Sequence, residues 1–214
     1  MVRSWSVRAS IGGAAVVALL LAGCGTGDGD DAATPPSTPA STSAAASGAP
    51  SPGATPADYV PASLEGPARN VPRPVMPELA KQETREGAQA FLDYWSDAMW
   101  YAYQTGDTSY ARDIISPHCE ACLAELNDIA STYGNGDWLI GGKPSLELED
   151  PLLTEAQDGV YKPMALYSTE GGKLVESGKI SYEAGPSHRE ETLVYMDFVD
   201  SSWIYITMAP IAGE

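Results

Sequence analysis

Cys119 and Cys122 stand three residues apart in SPHCEACLAEL, with His118 beside the first. Three chemistries use such a spacing. A disulfide needs Cα atoms about 4.4–6.8 Å apart, which residues three apart on one helix face can meet. A thiol–disulfide exchanger needs a thiol whose pKa is lowered at a helix N-terminus. A zinc site needs further ligands, and His188, the other histidine, lies 66 positions beyond Cys122, which is no finger spacing. Ser116-Pro117 reads as N-cap and first helical residue, which puts Cys119 at the third position of a helix. Glu120 inside the motif disfavours a thiolate, and the preceding DTSYARDIIS is helical in pattern, not a strand. The pair therefore reads first as a structural staple, with redox exchange as the alternative and no metal or cofactor expected.

The carboxylates offer less. Asp93 and Asp97 are four apart on a helix and could share acid–base work, but they sit opposite its apolar stripe and read as a solvated face. Asp197 is the strand-borne candidate for a catalytic base. It shares a face with Leu193 and Tyr195, while Val194, Met196 and Phe198 form the better core face, so Asp197 is expected to look outward. No phosphate-binding glycine loop, G-x-S-x-G or H-E-x-x-H is present. Trp100, Tyr101, Tyr103 and Trp138 are candidates for a ligand pocket or interaction surface, since Trp and Tyr favour such sites.

Whether the cysteines oxidise depends on compartment. The chain begins MVRSWSVR, with Arg3 and Arg8, followed by an apolar run to Ala22. That run is short for a hydrocarbon core of about 30 Å, which takes roughly 20 residues, and reads as an export signal. Leu21, Ala22, Gly23 and Cys24 resemble the lipobox of bacterial lipoproteins. The resemblance implies cleavage after Gly23, a diacylglycerol on Cys24, and a protein held on the outer face of the cytoplasmic membrane. Two acyl chains give stable anchoring.

Of the twelve basic residues two precede Cys24, leaving ten against twenty-nine acidic ones, a net charge of −19 for the processed chain. Such a chain is repelled by nucleic acid, which argues against a nucleic-acid partner. Residues 24–74 are rich in Ala, Thr, Ser, Pro and Gly and have little to bury. They read as a disordered tether spanning roughly 40 Å. Residues 75–214 have the composition of one folded domain.

The elements that position the candidates follow from periodicity. Phe91, Leu92, Trp95, Met99 and Ala102 mark a helical face, with Thr84 as N-cap and Gly106 as terminator. A short second helix is expected through Ile115, and a third from Ser116 to about Tyr133. Period-two patterns place strands at 138–148, 160–168, 179–183, 192–199 and 203–208, the last two as a hairpin. Three helices on a curved antiparallel sheet make an α+β domain.

This layout resembles the cone fold of nuclear transport factor 2 and ketosteroid isomerase. MPELA at 76–80, GAQAFLDYWSDAMWYAYQTGDT at 87–108, the cysteine pair and YGNGDWLIGG at 133–142 are similar to an uncharacterised Gram-positive lipoprotein family. The resemblance implies an exported head of cone type and no particular activity. The expected function is a lipid-anchored binding or interaction module of the envelope, without a catalytic centre. Its partner would be an envelope protein, a wall polymer or a small ligand. The alternatives are an isomerase- or cyclase-type enzyme and a thiol–disulfide exchanger.

Overall fold

The computed structural model describes residues 58–211. The signal segment, the lipobox and most of the tether lie outside the described residues. After a 3₁₀ turn at Glu78–Lys81 come α1 (Arg85–Thr105), α2 (Ser109–Arg112) and α3 (Glu120–Gly134). Seven strands follow: β1 (Trp138–Gly141), β2 (Pro144–Leu148), β3 (Met164–Thr169), β4 (Gly172–Glu176), β5 (Lys179–Ala184), β6 (Ser187–Val199) and β7 (Ser202–Pro210).

Helix α1 forms as its sequence dictates. The Thr84 hydroxyl accepts from the Gly87 N–H at 3.0 Å and satisfies one orphan donor of the first turn. Gly106 ends the helix in the left-handed region, φ 77°, a conformation costly for residues with a Cβ. Phe91, Leu92, Trp95, Met99 and Ala102 are all buried. They meet Leu146 and Leu148 of β2 and Val194, Met196, Trp203 and Tyr205 of the β6–β7 hairpin in one core. Burying each large side chain of this set contributes about 1.5–3 kcal/mol.

The expected single curved sheet under three helices is not what forms. All strand pairs are antiparallel, but they make two sheets, ordered β1-β4-β5 and β2-β3-β6-β7. The split occurs inside the 138–148 segment expected as one strand. Gly141 (φ 70°) and Gly142 (φ 85°) turn the chain there, and the Gly142 N–H donates to the Gly171 carbonyl at 2.7 Å. The three helices do not share a packing surface on a sheet either. Helix α1 packs on β1 and β2, α2 is a single turn, and α3 makes its extended contacts with α1 and α2 and none of that extent with a strand. The cone assignment is thereby overturned, although helices and antiparallel strands are segregated as in an α+β domain.

Strand β4 was not legible because Gly171-Gly172 reads as a turn, yet Leu174 and Val175 are buried. The outer edge of β7 is covered by the chain just before α3. Ile115 bridges Tyr205 in parallel, the Ser116 N–H donates to the Tyr205 carbonyl at 2.8 Å, and the Tyr205 N–H donates to the Ile114 carbonyl at 2.8 Å. That cover occupies an otherwise unpaired sheet edge. Residues 58–74, placed in the tether by composition, carry a small antiparallel pairing of Val60 with Arg69. Their Ser63 carbonyl accepts from the Trp138 indole at 2.8 Å.

Candidate functional site

Because α3 leans on α1 and packs little on the strands, a cavity of about 170 Å³ remains between α3, α1 and the β2-β3-β6-β7 sheet. Each wall is a periodic consequence of its element. Trp95, Met99 and Tyr103 come from α1, four residues apart and so one above the other. Cys122 and Glu125 come from α3 at the three-residue spacing that shares a face. Tyr205 and Thr207 alternate onto one face of β7, and Tyr167 comes from β3. Trp95 and Tyr205 stack with ring centroids 5.0 Å apart and planes at 21°.

Glu125 is the charged residue of this lining. It is exposed as a residue, and it lines the cavity at its solvent-facing mouth among neighbouring protein groups. The Tyr103 hydroxyl donates to that carboxylate. Crowding pushes the Glu125 carboxyl above its ordinary value; the Tyr103 hydrogen bond opposes this, and the charge of Asp128 adds to it. The phenols respond in the same sense. Burial and then the Glu125 charge raise Tyr103 well above the usual phenol value. Tyr167 is pushed up to about 12 by burial, then by Glu125 and Glu190. Tyr205 also rises, by burial, then Glu125 and Tyr167. All three stay protonated at neutral pH.

Tyr103, Tyr133 and Tyr161 place their hydroxyls on Glu125, the Tyr103 carbonyl and Glu83 respectively. Tyr167 and Tyr205 hydroxyls have no such partner among the described residues. The Trp95 indole N–H is buried and also unpartnered, at a cost of about 1–3 kcal/mol. The site therefore combines aromatic walls, two uncommitted phenols and a single carboxyl at its mouth.

Of the site candidates named from sequence, Tyr103 and Cys122 line this cavity, as do Trp95 and Met99, which were named there as the apolar helical face. Trp100 is half-buried elsewhere, 5.7 Å from the Tyr59 ring and under the Lys143 ammonium at 5.6 Å. Tyr101 is buried against Tyr110, and Trp138 is tied to Ser63. The four aromatics thus form no common surface, because helix α1 spreads three of them over different faces. Glu125, Tyr167 and Tyr205 were missed; the one sequence signal was a carboxylate three residues after Cys122 on the same helical face.

Cys119 and Cys122 form a disulfide with Cα atoms 5.3 Å apart. The expected cap is displaced. Helix α3 starts at Glu120, and Cys119 is its N-cap, with Sγ accepting from the Cys122 N–H at 3.3 Å. Ser116 does not cap it, because its backbone is committed to the β7 edge. Asp197 is half-buried, and its carboxylate accepts from the Phe198 N–H at 2.8 Å. Asp93 accepts from Gln89 at 2.9 Å, while Asp97 pairs with Lys143 at 2.8 Å. Those two open onto a separate, polar groove lined also by Ser145 and Ser168. His118 and His188 are both exposed. Among the described residues, no three His, Cys, Asp or Glu side chains cluster as metal ligands.

No curated protein matches the chain. Among solved structures, the intermembrane space region of chloroplast protein ARC6 is similar at 14% identity and a TM-score of 0.45, covering 62% of this chain and 99% of that one. A family model described as Family of unknown function (DUF6318) matches residues 57–209. That match spans most of the chain and all seven strands but the last residue of β7, so the protein belongs to this family of unknown function.

Proposed function

We propose that this protein is an exported, lipid-anchored binding module of the cell envelope, and that it holds a small ligand in the cavity between α3 and the sheet. The observation that carries the binding half is the cavity itself. It is walled by Trp95, Tyr103, Tyr167 and Tyr205 and lined also by Glu125, whose carboxylate accepts from the Tyr103 hydroxyl. Small-ligand sites combine apolar walls with a few aimed polar groups in this way. The anchoring half is supported by Leu21-Ala22-Gly23-Cys24 after a basic start and a short apolar run. The Cys119–Cys122 disulfide suits an oxidising compartment.

Metabolic labelling with a fatty-acid probe in a Gram-positive host, followed by mass spectrometry, tests the anchor. The expected product starts at an acylated Cys24 and fractionates with membranes, and Cys24→Ala abolishes both. An unacylated chain retaining residues 1–23 would refute the anchor. Tyr205→Ala, which opens the cavity wall, tests the pocket: it is expected to abolish small-ligand protection against thermal unfolding, and unchanged protection would count against the site.

A further inference from the structure

We propose that the cavity between α3 and the sheet selects a small organic cation, an alkylammonium head. This rests on the binding reading above and names its ligand class. Three features converge on it.

The walls are aromatic. Trp95, Tyr103, Tyr167 and Tyr205 all line the cavity, and ring faces attract ammonium groups through their quadrupoles. The charge is negative and unopposed. Glu125 is the lining carboxylate, no Lys, Arg or His lines the cavity among the described residues, and the surrounding chain is strongly acidic. An anion would meet Glu125 with nothing to offset it. A wholly apolar guest would further desolvate the carboxylate and leave the Tyr167 and Tyr205 hydroxyls unsatisfied. A cation instead pairs with Glu125 while its alkyl part meets Met99 and Met208, both soft and adaptable.

The third feature is size. A cavity of about 170 Å³ that opens to solvent beside Glu125 has room for a compact head such as a trimethylammonium or a four-carbon amine. Binding should also strengthen as pH rises through the Glu125 titration, since the cation pairs with the ionised carboxyl. The groups facing Glu125 are Tyr103 on α1, Asp128 on α3, Tyr167 on β3 and Tyr205 on β7. The phenols stay protonated over the accessible range.

The test titrates the detergent-solubilised full chain, followed by NMR of its methionine methyls, with n-butylammonium, n-butanol and n-butyrate. The ammonium is expected to bind at least about tenfold more tightly than either other compound, a difference of about 1.4 kcal/mol. Glu125→Gln should remove most of that preference, leaving the part due to the aromatic walls, with n-butanol binding unchanged within about twofold. Tyr167→Leu should weaken the ammonium more than the alcohol, and it serves if the glutamine variant does not fold. Equal binding of alcohol and ammonium, insensitive to Glu125→Gln, overturns the cationic class while the pocket stands. Binding of none of the three overturns both readings. The same head is carried by free amines and by ethanolamine lipids. Repeating the titration in phosphatidylglycerol vesicles with and without phosphatidylethanolamine separates them: competition only in the vesicles that contain phosphatidylethanolamine assigns the lipid head, its absence a free amine, and either upholds the class.

Discussion

The Tyr103 hydroxyl donates a hydrogen bond to the Glu125 carboxylate and so ties α1 to α3 at the mouth of the cavity. Tyr133, eight residues further along α3, ties the same α1 residue, its hydroxyl donating to the Tyr103 carbonyl at 2.6 Å. Together these bonds hold α3 against α1 while leaving it clear of the sheet. The arrangement makes a pocket from what would otherwise be a filled helix–sheet interface.

The first consequence concerns pH. Glu125 has a folded-state pKa above its ordinary value of 4.5. In the window between the two, the folded chain holds more protons than the unfolded one, so stability falls as pH rises through that window. Below the ordinary value the contribution is fully present. Glu125→Gln should flatten this segment of the stability–pH curve measured by urea unfolding. A wild-type curve that rises there relative to the variant would contradict the assignment.

Tyr103→Phe removes the bond that holds the Glu125 pKa down. The carboxyl should then titrate still higher, by direct NMR observation of its carbon. Because the pair lies at a solvent-accessible mouth, the stability loss should stay near about 1 kcal/mol or less.

Reduction of the disulfide acts on the first turn of α3. The Cys119 sulfur is both a link and the N-cap acceptor. The closed loop is very short, so losing it costs at the low end of the usual ~2–4 kcal/mol. Cys119→Ser with Cys122→Ser should lower the unfolding free energy measured by urea titration by no more than that, since serine keeps a capping oxygen. Amide exchange should quicken at residues 120–123 and not in β6 or β7. Cys119 is 6% exposed, so an insulin-reduction assay should show no exchange activity; measurable activity would restore the redox reading.

Gly87 is packed under the 3₁₀ turn, where an added Cβ would fall inside contact distance of the Gln82 carbonyl. That carbonyl also accepts the Trp203 indole N–H at 3.0 Å. Gly87→Ala, favourable in an isolated helix by about 1 kcal/mol, should therefore destabilise this one by about 1–3 kcal/mol. Thermal unfolding distinguishes the two signs.

Local chemistry was readable where a residue's neighbours in sequence are also its partners. Thr84 reaches three residues ahead to cap α1, Gly106 supplies the positive φ that ends it, and 91, 92, 95, 99 and 102 share a face by period alone. The β6–β7 hairpin followed for the same reason, with Asp200 and Ser201 in its turn at φ 51° and 61°. The cysteine pair was legible as a staple, but its place in the helix was not. Ser116 is a good cap by type and is drawn instead to the β7 edge, a partner almost ninety residues away.

The sequence by itself determined α1 with its caps, the alternation of β6 and β7, and a cysteine pair close enough to bond. Tertiary structure alone decided that 138–148 breaks into two sheets, that α3 rests on α1 and not on strands, and that Glu125 joins Tyr103, Tyr167 and Tyr205. The physical reason is range. Periodicity reports which side of an element is apolar, whereas a cavity exists where two such sides fail to meet, and that depends on contacts between residues 40 to 80 positions apart, as from Glu125 to Tyr167 and Tyr205.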